Sequence, residues 1–129
     1  PPAVNTGHPA QDYVREALEA DGYLVYDVSN QRLGYDLYAV KGGRIRYVEV
    51  KSSLKTCSPV LTAFEFARAV QHGTDFILAV MENFDPNGTN AIHWIPDPAN
   101  ACTITATTTT EHAVARSSWK TAVVSLSSV

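Results

Sequence analysis

Apolar and polar positions alternate between two periods along this chain, and the switches between them mark out its elements. Pro9 is followed by Ala10 to Asp21, where Val14, Ala17 and Leu18 recur at i, i+3 and i+4 and Gly22 closes the run, so the pattern predicts an amphipathic helix with a glycine stop. The period then shortens to that of strands. Tyr23 to Val28 reads as one strand, Ser29-Asn30-Gln31 as a turn, Tyr35 to Val40 as a second strand and Arg44 to Lys51 as a third. Gly42-Gly43 between the second and third supplies the positive φ that a tight hairpin needs, which predicts antiparallel neighbours.

Thr62 opens an Ala- and Phe-rich run through Gln71, and Glu65, three residues on, completes a capping-box signature; Gly73 ends this second helix. Asp75 to Met81 is almost wholly apolar and short, as expected of a strand buried on both faces. A loop from Glu82 to Asn90 returns the chain to a strand at Ala91 to Ile95, halted by Pro96-Asp97-Pro98. Ala101 to Thr107 and Thr121 to Leu126 have the β-branched content of strands, with Thr107 to Thr110 equally compatible with a loop. The order αβββαββ, followed by C-terminal strands, predicts an α/β (α+β) fold with a mixed central sheet flanked by helices.

With 129 residues and 45% hydrophobic content the chain suits a single domain over 1–129, with a core at about 10–98 and residues 99–129 as a C-terminal extension. A formal charge of -3 argues against wide, nonspecific contact with nucleic acid. The basic residues are clustered, however: Arg32, Lys41, Arg44, Arg46, Lys51 and Lys55 share one segment with only Asp36 and Glu49, which makes either a local basic field or a strand-rich surface charged for solubility. Cys57 and Cys102 are far apart and outside any metal-ligand spacing, which fits a reduced, cytoplasmic protein, prokaryotic in expectation. No stretch reaches the roughly eighteen apolar residues of a membrane span, and Pro1-Pro2-Ala3-Val4-Asn5 lacks the features of a signal peptide. The absence of an initiator Met suggests a domain excised from a larger protein.

Glu49 and Lys51 are two apart on a strand and emerge on one face, and Asp36 on the neighbouring strand can approach the same patch. Two carboxylates held together repel unless a cation joins them, and a hard divalent ion resolves that conflict. An ammonium beside such an ion suits phosphodiester hydrolysis, in which charge builds on the phosphoryl oxygens. Glu-x-Lys is also an ordinary charge pair of exposed strands, so the neighbours decide between the readings.

Gly22-Tyr23, Asp27-Val28-Ser29, Gly34-Tyr35-Asp36, Val48-Glu49-Val50-Lys51, Leu61-Thr62-Ala63-Phe64-Glu65 and Phe76-Ile77-Leu78-Ala79-Val80 follow in order. This succession resembles the restriction-endonuclease-like PD-(D/E)xK superfamily, and within it the DUF3883 or NO VEIN C-terminal type of domain, over about residues 10 to 98. The resemblance implies that Asp36, Glu49 and the Val50 carbonyl bind Mg²⁺ or Mn²⁺ and that Lys51 orients or activates the attacking water. Relatives carry a Glu on the first helix where Gln11 stands here, which leaves Gln11 a further candidate ligand and the number of metals open. They carry Asn where Phe64 stands, which leaves the role of the Glu65 helix open beyond its capping box. Ser52 and Arg68 are candidate substrate contacts; His8, His72, His93 and His112 lack ligand spacing, and Trp94 and Trp119 read as core or rim aromatics.

The function implied is a divalent-metal-dependent DNA endonuclease, the cleavage domain of a restriction or phage-defence protein. Targeting or ATPase domains would lie elsewhere in that protein, and a homodimer is a candidate assembly. RNA as substrate and a non-catalytic module that binds nucleic acid or protein are the alternatives, since substrate choice resides in loops and appended domains.

Overall fold

The structure, a computed structural model, describes residues 8–129; the segment Pro1-Pro2-Ala3-Val4-Asn5 lies outside the described residues. The first helix, α1 (Pro9–Ala20), begins with proline at its first position, where a missing N–H is harmless, and buries Val14 and Leu18. Strands β1 (Leu24–Asp27), β2 (Leu37–Lys41) and β3 (Arg44–Ser52) form an antiparallel meander, with Gly42 and Gly43 both at positive φ in the hairpin. After β3 come β4 (Val60–Thr62), α2 (Ala63–His72), β5 (Phe76–Met81) and β6 (His93–Pro96). The α2 crossover lets β5 pair parallel with β3, and β6 returns antiparallel, so the five-stranded mixed sheet runs β1-β2-β3-β5-β6.

All six residues of β5 are buried, as its apolar run predicts, and from Ile77 onward they alternate between two cores. Ile77, Ala79 and Met81 join Val14, Leu18, Leu37 and Val48 beneath α1. Leu78 and Val80 face the other way, toward Leu61, Ile95, Val114 and Trp119. That second core is closed by segments the sequence pattern left obscure: α3 (Pro98–Ala101), β7 (Ile104–Ala106), β8 (Glu111–Val114) and α4 (Arg116–Ala122). β4, β8 and β7 form a separate three-stranded antiparallel sheet.

Two expectations for this region are corrected. The strand expected over Ala101 to Thr107 shrinks to Ile104–Ala106, because Pro98 starts a helical turn on an Asp97 held at positive φ. Thr121 to Leu126 is not a strand: its first residues finish α4, whose Trp119 is drawn into the core, and only Val124 makes an isolated bridge to Trp94. Thr107 to Thr110 is the turn of the β7–β8 hairpin. Among the described residues no helix is long and apolar enough to cross a membrane.

Candidate active site

Asp36 precedes β2 by one residue, and that offset creates the site. The β2–β3 ladder ends at the pair Leu37 and Val48, and just beyond it the Asp36 and Glu49 carboxyls lie side by side. The Asp36 N–H still donates to the Val48 carbonyl at 2.8 Å, but the next ladder bond is made by a side chain: the Val50 N–H donates to Asp36 Oδ2 at 2.9 Å. A residue in a strand directs its N–H and C=O to the same side, so the Val50 carbonyl also leaves toward the space where β2 has ended. Both carboxylates and one strand carbonyl therefore meet at the end of the hairpin.

Glu49 is buried to 3% exposure, with its Oε2 3.3 Å from Lys51 Nζ and its Oε1 buried without a hydrogen-bond partner among the described residues. Lys51 Nζ lies 3.1 Å from Glu65 Oε1. The expected capping box is complete: Thr62 Oγ1 accepts the Glu65 N–H at 3.0 Å, and Glu65 Oε1 accepts the Thr62 N–H at 2.9 Å. One carboxylate thus starts α2 and ties it to Lys51. The capping signature revealed the first role in the sequence; the second depends on α2 folding back over β3.

Burial pushes the Asp36 carboxyl up, against the bond from the Val50 N–H that favours its charge. Glu49 is pushed well above the ordinary carboxylate range, first by burial and then by the charges of Asp36 and Glu65, with Lys51 pulling the other way. Burial alone would lower Lys51, but the Glu49 and Glu65 carboxylates outweigh it and raise its pKa, so the side chain is an ammonium at neutral pH.

A cleft of about 230 Å³ opens over these groups, lined by Arg32, Gly34, Asp36, Glu49, Phe64 and Glu65 among others. Gln11 lies on α1 with its Oε1 buried and without a hydrogen-bond partner among the described residues. Ser52 is the exposed last residue of β3, in register with Met81. Arg68 donates to the Leu33 carbonyl at 2.9 Å and to Gln71 at 2.6 Å, holding the loop before Asp36 against α2. The basic cluster is largely neutralised: Lys41 pairs with Asp21, Arg44 and Arg46 with Asp75, and Lys51 with the site acids. Arg32 and Lys55 make no ion pair among the described residues. His72 stacks on Tyr47, His112 on Phe66, and His93 tilts over Trp119, all packing roles. Trp94 and Trp119 are core.

The donor set suits a hard divalent cation. It comprises the Asp36 carboxylate just before β2, a strand carbonyl, and the Glu49 carboxylate on β3, whose buried Oε1 has no hydrogen-bond partner among the described residues. Among the described residues no group of three or more His, Cys, Asp or Glu side chains gathers as a metal cluster, so such a cation would rely on two carboxylates, backbone and water.

The family profile described as Protein NO VEIN, C-terminal, matches residues 8–95. The chain belongs to the NO VEIN C-terminal family. The match runs from α1 through β6, the elements that build and frame the site. Among solved structures, the chain is similar to Hjc, a Holliday junction resolvase from the archaeal hyperthermophile Archaeoglobus fulgidus, with a TM-score of 0.65 at 16% identity, over 96% of this chain and 94% of that one. No curated protein sequence matches the chain. This member of the NO VEIN C-terminal family therefore has the restriction-endonuclease-like fold expected from its sequence, with its mixed five-stranded sheet flanked by helices.

Proposed function

We propose that this domain is a divalent-metal-dependent endonuclease that hydrolyses phosphodiester bonds in DNA, as the cleavage part of a restriction or phage-defence protein whose other domains choose the target. The observation that carries this reading is the juxtaposition of Asp36 with Glu49, whose buried Oε1 lacks a hydrogen-bond partner among the described residues, in a cleft that both line, with Lys51 Nζ 3.3 Å from Glu49. The similar fold of a Holliday junction resolvase supports it.

Asp36, Glu49 and the Val50 carbonyl would hold Mg²⁺ or Mn²⁺, with Gln11 as a further oxygen donor. When bound, the cation supplies Lewis-acid charge at the phosphoryl oxygens. Lys51, 3.3 Å from Glu49 and 3.1 Å from Glu65, would orient or activate the attacking water and add positive charge beside the phosphoryl oxygens. Glu65 keeps Lys51 in place while starting the helix that forms one cleft wall. Ser52 at the end of β3 is the remaining candidate for a substrate phosphate contact.

The discriminating experiment is nicking of supercoiled plasmid with Mg²⁺ or Mn²⁺ and with EDTA. The wild-type domain nicks only with metal, and Asp36→Asn and Lys51→Ala each lose about a hundredfold or more in rate while melting as folded proteins. Equal cleavage by all three would refute the reading. A non-catalytic module has one observation in its favour, since Lys51 already pairs with both Glu49 and Glu65 without metal. Absence of Mn²⁺ binding by calorimetry would select that module.

A further inference from the structure

Two side chains on the cleft walls play no part in the site chemistry described above. Arg32 is exposed, makes no ion pair or hydrogen bond among the described residues, and has a left-handed backbone at φ 55, ψ 46. Such a conformation is uncommon outside glycine and asparagine and persists only where the surroundings impose it. The adjoining Leu33 carbonyl accepts a hydrogen bond from Arg68 on α2 at 2.9 Å. Gly34, at φ +86, lies so close to α2 that a Cβ there would stand 2.5 Å from Arg68 Cγ and 3.1 Å from the Phe64 carbonyl. The loop carrying Arg32 is thus fixed against the helix carrying Phe64.

Phe64 is 48% exposed and lines the same cleft. The Arg68 guanidinium lies 4.9 Å from its ring centroid, which steadies the ring while leaving much of it open. A free guanidinium is suited to grip phosphate oxygens in pairs, and an open aromatic ring is suited to stack on a base. Both side chains line the same cleft of about 230 Å³ that also holds Asp36 and Glu49.

We propose that Arg32 and Phe64 form a nucleotide subsite beside the carboxylates, in which Arg32 takes a backbone phosphate and Phe64 stacks on an unpaired base. The inference rests on the nuclease reading and narrows its substrate to strands that are single or locally unpaired next to the bond cut. In duplex DNA the base faces are covered by their neighbours, so Phe64 has nothing to stack on.

The test uses fluorescence anisotropy of a labelled single-stranded oligonucleotide and of the matching duplex in EDTA, with wild type, Arg32→Gln and Phe64→Leu. Arg32→Gln weakens single-strand binding about fivefold and lowers the salt slope by about one phosphate contact between roughly 50 and 200 mM salt. Phe64→Leu weakens single-strand binding about tenfold, with salt slope and duplex affinity unchanged. Both positions are exposed, so melting curves should overlay wild type; Leu at 64 keeps apolar bulk and removes only the ring. Unchanged single-strand affinity in either variant overturns the subsite, as does an equal loss on duplex from Phe64→Leu. Metal-dependent nicking by wild type is scored separately. Nicking with unaltered binding in both variants rejects the subsite alone, and expected binding losses without any nicking reject the cutting activity alone. Wild type that neither nicks nor binds rejects both.

Discussion

Glu49 holds a buried carboxyl beside two other acids, Asp36 and Glu65, with Lys51 as the nearby cation. Its pKa is raised on folding, so between its ordinary value near ~4.3 and the raised one the folded state binds more protons than the unfolded. Stability therefore falls as pH rises through that window, and the metal-free protein carries the strain at neutral pH. Glu49→Gln imitates the protonated form and leaves Lys51 its bond to Glu65. The variant should melt several degrees above metal-free wild type at about pH 7, with the gap closing toward about pH 4, and should gain nothing from Mn²⁺ while wild type does. A gap that widens on acidification would show that burial does not raise this carboxyl. Asp36 differs because the Val50 N–H meets its charge. The two carboxylates were legible from strand spacing, but their unequal environments were not, since these arise where β2 stops.

Among the elements, the loop after β3 is tied down from outside the candidate site. Glu82, just beyond β5, accepts the Cys57 N–H at 2.6 Å and receives two bonds from Arg116 on α4, at 2.6 and 2.8 Å. The Arg116 bonds lead the causes that hold the Glu82 carboxyl at about 2. A pKa lowered on folding contributes stability that is present above the unfolded value, near ~4.3, and is lost as pH falls through about 2. Glu82→Gln should lower the melting temperature by several degrees at about pH 7 and match wild type below about pH 2, as circular dichroism melts can show. A deficit independent of pH would assign Glu82 a packing role in place of the ion pair. None of this was visible in the sequence, because Cys57, Glu82 and Arg116 meet only through the tertiary fold. By contrast, the Gly42-Gly43 hairpin and the Thr62–Glu65 capping box were readable because neighbours within a few residues decide them. Arg-Ser-Ser-Trp-Lys-Thr-Ala of α4 has no apolar period; burial of Trp119 against the second core makes it helical, overriding the β-branched content just after it.

At the scale of the molecule, the family match and the folded unit have different ends. The match stops at residue 95, yet one face of β5 and β6 is covered by residues beyond it. Val114 and Trp119 lie over Leu78, Val80 and Ile95, and the Trp119 indole N–H donates to the Cys57 carbonyl at 2.9 Å. β8 also pairs with β4, the strand leading into the Thr62–Glu65 cap. A chain cut after Pro98 keeps Asp36, Glu49, Lys51 and Glu65 but uncovers Leu61, Leu78, Val80 and Ile95, each completely buried here. Removing Trp119 alone would cost about 3–5 kcal/mol, a large share of the roughly 5–15 kcal/mol that holds a domain folded. The truncated chain should lose its cooperative thermal transition, expose apolar surface to a fluorescent probe, and lose metal-dependent nicking together with its fold. A cooperative melt near that of the full chain would instead make residues 99–129 an extension that the fold does not need.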